Sequence, residues 1–396
     1  MPVEPNTSTA AMLPHQGIAV ADAGWFTTEN LFRELRRDNV STLLLTCKDY
    51  RNAWQSGQRP WSWRSPLRQI SPQLWRRDLV LPTGWMKQFP RLGMRPIARS
   101  VRNWRRELMS QNQLSLIMTY PHYLHLRDQL QPARTLYYNL DDYTLYWPNQ
   151  AAKIRALEQK AVRESDLTLC VSHLRAEELR ASIPEAAERI RYLPHGTPST
   201  MLAEHPHHLP AAPPHDIAHL PRPLLGYVGS IEDRVDWQLL HSLSEAIPQA
   251  SIVLVGRPTP PPYPPEGWLA DYARCLLKPN IHAIGWRPQE SLLSYNNAFD
   301  VCLIPYRVDH PFNRVCCPTK IMDSMGSGRP IVATSIPECL LYRRLFNVPE
   351  DPNAFIASVQ AVLAINSDDG RAEARHEHAR RNTCGHVADQ LLDWLF

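Results

Sequence analysis

The chain has 396 residues, a formal net charge of +4 and 43% hydrophobic residues. That length suits two domains with cores of their own rather than one, and so mild a charge gives no reason to expect nucleic acid as a partner. No apolar run reaches the length of a membrane span, and the N-terminal MPVEPNTSTAAMLPHQ lacks the basic start and apolar stretch of a signal peptide.

Ile18–Ala21 reads as a short strand, followed by a helix over Thr28–Asp38 with Thr27 or Thr28 as its cap. Thr42–Thr46, Leu114–Thr119, Thr135–Tyr138, Leu167–Val171 and Ile190–Leu193 read as further strands. A helical stretch rich in Ala, Arg, Glu and Lys runs from about Asn149 to Glu164. From Thr197 to Pro223 the composition changes to Pro, His and Ala, as in HPHHLPAAPPHD, which marks an interdomain linker. A second strand–helix series follows at Leu224–Val228, Ile252–Val255, His282–Ile284, Val301–Pro305 and Ile331–Ala333, interrupted by a proline-rich loop at Pro258–Pro265. Asp389–Phe396 reads as a terminal helix with Leu391, Leu392 and Leu395 facing a core.

Strand–helix alternation predicts parallel sheets and an α/β fold. Two such series predict two Rossmann-like domains facing a central cleft, with a C-terminal helix. The expected divisions are residues 1–196, a linker over 197–222, and residues 223–396. The eight cysteines, Cys47, Cys170, Cys275, Cys302, Cys316, Cys317, Cys339 and Cys384, form no CxxC pair and no zinc spacing. They are expected to be buried thiols of a reduced, cytoplasmic protein.

In open α/β sheets ligands bind beyond the C-terminal strand ends, and one stretch there concentrates chemistry. RVCCPTKIMDSMGSGRPIVAT, Arg314 to Thr334, reads as loop, short helix, glycine turn and buried strand. Pro318 suits a helix start, and Gly326 and Gly328 can end the helix where φ must be positive. Lys320 and Asp323 share one helix face. A cation, a carboxylate able to hold sugar hydroxyls and a helix N-terminus within one turn are what a nucleotide sugar requires.

Four pieces in order, GYVGSIEDRVDWQLL (Gly226–Leu240), IVLVGR (Ile252–Arg257), IHAIGWRPQESLLSYNNAFDVCLIPY (Ile281–Tyr306) and PTKIMDSMGSGRPIVAT (Pro318–Thr334), resemble the GT-B glycosyltransferases of the retaining family 4, or group 1, type. YYNLDDY (Tyr137–Tyr143), LTLCVSHL (Leu167–Leu174) and YLPHGTP (Tyr192–Pro198) are similar to the bacterial surface-polysaccharide branch. The resemblance implies a nucleotide-diphosphate donor on the second domain and a glycan or lipid-linked acceptor on the first. It also implies retained anomeric configuration, no metal or other cofactor, and closure about the Thr197–Pro223 linker. The family's two acidic positions fall on Val315 and Asp323, and its N-terminal glycine-rich loop is reduced to Gly24 before Trp25, expected on the acceptor side.

A departing diphosphate needs positive charge, which assigns Lys320 and Arg234 to it. Asp323 is expected to accept ribose hydroxyls, and Gly229 and Ser230 to let backbone approach phosphate. His122, after the strand Leu114–Thr119, is expected to bond a sugar hydroxyl or to help the acceptor lose its proton. Of Asp141 and Asp142, one is expected to line the acceptor side and the other to cap the turn. His195–Gly196 resembles the family's hinge turn. No third ligand accompanies these carboxylates, so no metal site is expected.

Arg59–Arg106 carries twelve cations against one acid, Asp78, interleaved with Trp61, Trp63, Trp75, Trp85 and Trp104. That mixture suits an anionic membrane surface, and so a peripheral place on the inner face of the membrane. The alternative is a solvated arginine face with the tryptophans in the core. No nucleic-acid motif accompanies the segment. For the whole chain two other readings stand beside transfer: a sugar-nucleotide epimerase, and a catalytically silent homologue acting as a scaffold.

Overall fold

The computed structural model describes residues 15–22, 24, 26–50, 54, 65–82, 84, 88–108, 113–259 and 267–396. Trp25, Arg59, Trp61, Trp63, Arg64, Trp85, Lys87 and most of the Pro258–Pro265 loop lie outside the described residues. Two compact units result, one within residues 1–25 and Arg36–Leu136, the other made of Phe26–Leu35 and Tyr137–Phe396.

The first unit is built on β1 (Gln16–Asp22), β2 (Val40–Asp49), β3 (Arg68–Ser71), β4 (Leu74–Leu81) and β5 (Gln113–Met118), in the order β3-β4-β2-β1-β5. β1 pairs in parallel with β2 and β5, Ile18 lying opposite Thr42 and Ser115. Ile18, Ala19, Val20 and Ala21 are fully buried, as expected of a parallel strand covered on both faces.

β3 and β4 fall inside the segment singled out for its arginines and tryptophans. β4 extends the parallel sheet on β2, and β3 turns back antiparallel along its edge. Asp78, the one acid there, pairs with Arg68 at 2.6 Å and Arg76 at 2.8 Å. Burial raises the Asp78 pKa and its bonds to Thr46 and Arg76 lower it, the net direction being down. The tryptophan half of the membrane expectation is corrected for the described residues. Trp104 is a core residue of the Arg95–Leu108 helix, and Trp75 lies 6.4 Å from it, ring to ring. That helix buries Ile97, Ala98, Val101 and Trp104 along one stripe, which leaves Arg95, Arg99, Arg102 and Arg106 exposed.

In the second unit β6 (Arg134–Asn139, whose first residues belong to the first unit), β7 (Leu167–Cys170) and β8 (Ile190–Tyr192) lie side by side. A five-stranded sheet is formed by β9 (Leu224–Val228), β10 (Ser251–Val255), β11 (Ile281–Gly285), β12 (Val301–Ile304) and β13 (Ile331–Ala333), ordered β11-β10-β9-β12-β13 with every pair parallel. The first helix runs over Phe26–Arg33 rather than Thr28–Asp38. Thr27 and Thr28 therefore lie inside it rather than before it, and Thr28, Leu31 and Phe32 are buried. This helix packs against the C-terminal helix Cys384–Leu395, in which Leu391, Leu392 and Leu395 are buried as expected.

The segment read as a linker is not a free tether. Ala203 N donates to Gly326 O at 2.9 Å, His207 N to Ser327 O at 3.0 Å and Ala211 N to Asn297 O at 2.8 Å. Arg329, fully buried, fixes the same segment. It donates to the carbonyls of Phe299 (2.8 Å), Asp300 (3.1 Å), His207 (3.3 Å) and His208 (2.6 Å). Of the two glycines expected to need positive φ, only Gly328 has it, at 77°. Gly326 is helical and is required for space, since a Cβ there would stand 2.0 Å from Met201 O.

Arg329→Met should remove the donors from two buried and two part-buried carbonyls, a loss of about 2–4 kcal/mol at roughly 1 kcal/mol per bond, readable from urea unfolding. The eight cysteines are free and buried, so a non-penetrating thiol reagent should label the folded chain slowly and the urea-unfolded chain at once.

Candidate functional site

The second unit brings most of the expected donor residues together, at the C-terminal ends of β9 and β12. The Thr319–Met325 helix carries Lys320 back across those ends. The Nζ of Lys320 donates to Tyr306 Oη at 2.7 Å and stands 5.1 Å from the Tyr306 ring and 5.2 Å from the Tyr227 ring. Both rings are within cation–π range. No carboxylate of the described residues pairs with this ammonium.

The floor under Lys320 is Gly229, at φ 146°, where a Cβ would come 2.2 Å from Lys320 Cε and 2.4 Å from Nζ. Glycine is therefore required twice over: for the left-handed backbone and because the lysine lies on the space a side chain would fill. Ser230 follows, its carbonyl accepting from Tyr227 Oη at 2.6 Å.

Arg234 is held in the same place. Its guanidinium meets Glu232 through Nε at 3.0 Å and Nη2 at 2.7 Å, and lies 6.0 Å from the Tyr306 ring and 5.8 Å from that of Phe312. Burial lowers the Arg234 pKa, but the facing Glu232 carboxylate and Tyr306 raise it further, so the group stays charged. Its loop is locked by Asn313, whose Nδ2 donates to Arg234 O at 2.9 Å and Arg307 O at 2.8 Å, and by the buried pair of His310 with Asp233 at 3.0 Å.

Asp141 and Asp142, on the turn after β6, point to different partners. Asp142 accepts from Thr144 N at 2.9 Å and Thr144 Oγ1 at 2.6 Å, which closes the turn. Asp141 is buried and accepts from Tyr146 Oη at 2.7 Å and Asp142 N at 2.9 Å. Burial raises its pKa; Arg234 and Tyr146 act against that without cancelling it. Tyr146 in turn packs edge-on against Phe312, 4.8 Å between centroids. Beneath the turn, Glu158 is buried and accepts from Tyr137 Oη (3.0 Å), Asn139 Nδ2 (2.9 Å) and Arg175. Asn139 also donates to Asp141 O at 3.0 Å, so this network fixes the turn from below.

Asp323 points elsewhere, into a narrow cleft lined among others by Phe26, Asn30, Tyr138, His195, Gly196 and Thr319. Burial pushes its carboxyl up from 3.8 to about 7, against the pull of Lys320 and a bond from Thr319. His195, across the cleft, is pushed down to about 4 by burial and is neutral at physiological pH.

The remaining expected residues lie in the first unit. His122 is buried in the 3₁₀ turn after β5, stacked on Tyr120 at 4.7 Å. Gly24 is exposed at φ 96° and its N–H donates to Asp22 Oδ2 at 2.6 Å. Sequence reasoning missed Tyr306, Glu232, Tyr146 and the Glu158–Arg175 pair. Only Tyr306 had a signal, closing the apolar strand LIPY at its C-terminal end. Among the described residues no group of three or more His, Cys, Asp or Glu side chains is placed to hold a metal ion.

This fold, two α/β domains on parallel sheets with cations and a glycine at the strand ends, is that of the GT-B glycosyltransferases. Residues 222–364 match the family described as glycosyl transferases group 1. TuaH of Bacillus subtilis (strain 168), named as a teichuronic acid biosynthesis glycosyltransferase, is 22% identical over 248 residues, 61% of this chain and 59% of that relative. The match thus spans about three fifths of the relative's length. Among solved structures, sucrose-phosphate synthase from Thermosynechococcus elongatus superposes with a TM-score of 0.69 at 16% identity, covering 96% of this chain and 98% of the other. Anabaena Alr3699/HepE, solved with UDP, gives 0.65 at 12% identity over 96% and 98%. WaaG, a glycosyltransferase involved in lipopolysaccharide biosynthesis, gives 0.59 at 12% over 96% and 99%.

A carboxyl with a folded pKa above its unfolded value holds more protons when folded, so its contribution to stability falls as pH rises from 3.8 to about 7. Asp323→Asn should therefore raise the melting temperature at pH 8 and change it little at pH 4.5, as scanning calorimetry at the two pH values will show.

Proposed function

We propose that the protein transfers a sugar from a nucleotide-diphosphate donor to a glycan or lipid-linked acceptor in surface-polysaccharide synthesis, with retention and without a metal. The observation that carries this reading is Lys320, a cation on a glycine floor at the ends of two parallel strands that forms no ion pair with a carboxylate among the described residues. A diphosphate fits there. Lys320 and Arg234 meet the charge that develops on the leaving group, and the backbone at Gly229 and Ser230 approaches it closely. Arg234 exchanges Glu232 for the incoming phosphate. The domain match over 222–364 and a neighbour solved with UDP support a donor of this class on residues 223–396.

The acceptor belongs with residues 1–196 in this reading, where His122 and Gly24 lie. Asp141, raised toward its protonated form and bonded to Tyr146, is suited to a sugar hydroxyl. The leaving phosphate oxygen takes the acceptor's proton in a front-face attack, so no covalent nucleophile is needed. A place on the inner face of the membrane is supported by the exposed Arg95, Arg99, Arg102 and Arg106 row, beside Phe89 at 59% and Leu92 at 41% exposure. No helix of the described residues is long and apolar enough to cross a membrane.

The test is a screen of nucleotide sugars by thermal shift, then transfer to lipid-linked acceptors. Lys320→Ala should raise donor KM and lower kcat at least about tenfold with little change in melting temperature; unchanged kinetics would remove the assignment. Binding without transfer across a broad acceptor panel would identify a silent scaffold instead. For the membrane surface, sedimentation with anionic vesicles should show salt-sensitive binding that Arg95→Gln, Arg99→Gln and Arg102→Gln together weaken; binding indifferent to salt and to the triple change would exclude it.

A further inference from the structure

Arg234 is placed by a side chain that the expected site did not include. It lies on the loop after β9, while residues 307–315 form the loop and short helix after β12. His310 stands between the two, buried, with both ring nitrogens engaged. Its Nδ1 accepts from Phe312 N at 3.3 Å, so that nitrogen presents a lone pair and the ring proton is on Nε2. Nε2 therefore donates to the buried Asp233 carboxylate, 3.0 Å away.

Each end of that imidazole reaches a neighbour of Arg234. Asp233 precedes it in the chain. Phe312 presents the ring that lies 5.8 Å from the Arg234 guanidinium, and the same ring stacks on His310 at 5.9 Å. Backbone bonds join the same two loops, Arg307 N donating to Arg234 O at 2.9 Å and Asp236 N to Pro305 O at 2.8 Å. The clamp matters because of the exchange that Arg234 must make. Glu232 and Arg234 form an ion pair within one turn, closed by Val235 N to Glu232 O at 3.2 Å. On a free loop the two partners would move as one and stay closed on each other. Asp233, the residue between them, is the one that His310 holds. A cation whose backbone is fixed in advance needs no rearrangement when charge develops on a leaving group.

We propose that His310 is a positioning residue for the donor diphosphate: it fixes Asp233, and through it the Arg234 backbone, so that the guanidinium exchanges Glu232 for phosphate without the loop following. His310 touches no substrate and acts through Arg234. This deepens the donor reading given above and rests on it.

The experiment is a double-mutant cycle on the full chain, with dissociation constants for UDP, GDP, ADP and CDP measured by calorimetry. A nucleoside diphosphate is the leaving group with its charge fully developed, so its affinity reads the Arg234 contact. His310→Ala should weaken the preferred diphosphate about tenfold in the parent and less than about twofold in the Arg234→Ala background. His310→Gln, whose amide nitrogen can stand in for Nε2 and donate to Asp233, should recover most of the loss. If His310→Ala does not fold, the joint change His310→Phe and Asp233→Leu takes its place in the cycle, since it leaves no buried charge unpaired. An equal loss with and without Arg234 would mark His310 as part of the framework and overturn the inference. So would an unchanged affinity in His310→Ala, or a loss that His310→Gln does not recover; each of these leaves the donor reading intact. Absence of binding to all four diphosphates would overturn the donor reading itself, and this inference with it.

Discussion

The site is organised by one contact, the Lys320 side chain lying across Gly229. A lysine stem occupies the volume where any other residue would carry its Cβ, and two tyrosine rings take the charge that a carboxylate would otherwise take. Aromatic faces and a phenol oxygen stabilise an ammonium without neutralising it, so its charge stays available to a ligand. The strand ends dictate the rest. β9 delivers Tyr227 and Gly229, β12 delivers Tyr306, and the short helix after the cysteine pair delivers the lysine.

Around that contact the charges are arranged in opposite senses. Arg234 is compensated by Glu232 and approached by Asp141, while Lys320 forms no ion pair among the described residues and meets tyrosines instead. One cation is thus held by a carboxylate that can be displaced, and the other is ready as it stands. Deeper polar groups have a different task. Arg329 and the Glu158–Arg175 pair are buried and multiply bonded, and each fixes backbone: Arg329 the segment at His207 and His208, Glu158 the turn that carries Asp141.

Much of the framework was legible in the sequence. The β-branched and leucine runs of β1, β5, β9, β10 and β13 are nearly continuous because both faces are covered, and they stand out against the polar helices. Lys320 and Asp323 stood out as candidates on the short helix that precedes β13, and Arg234 on the loop that follows β9. What was hidden is long-range. β3 and β4 carry Arg68, Arg76 and Arg77 on a surface edge, so their charge obscures the strand pattern. Tyr146 meets Phe312 only after separate loops fold together. The Phe26–Arg33 helix was misplaced because its register answers to the C-terminal helix it packs on rather than to its own cap.

The pairing of the Phe26–Arg33 helix with the Cys384–Leu395 helix has a consequence for cooperativity. The two are separated by about 350 residues of sequence yet pack on each other, and each commits apolar side chains to burial, Leu31 and Phe32 on one and Leu391, Leu392 and Leu395 on the other. A contact of such long sequence separation forms only after the intervening chain has been brought into place. Fraying of either helix uncovers apolar surface on the other, so the two are expected to open together and to exchange their amide hydrogens as one unit.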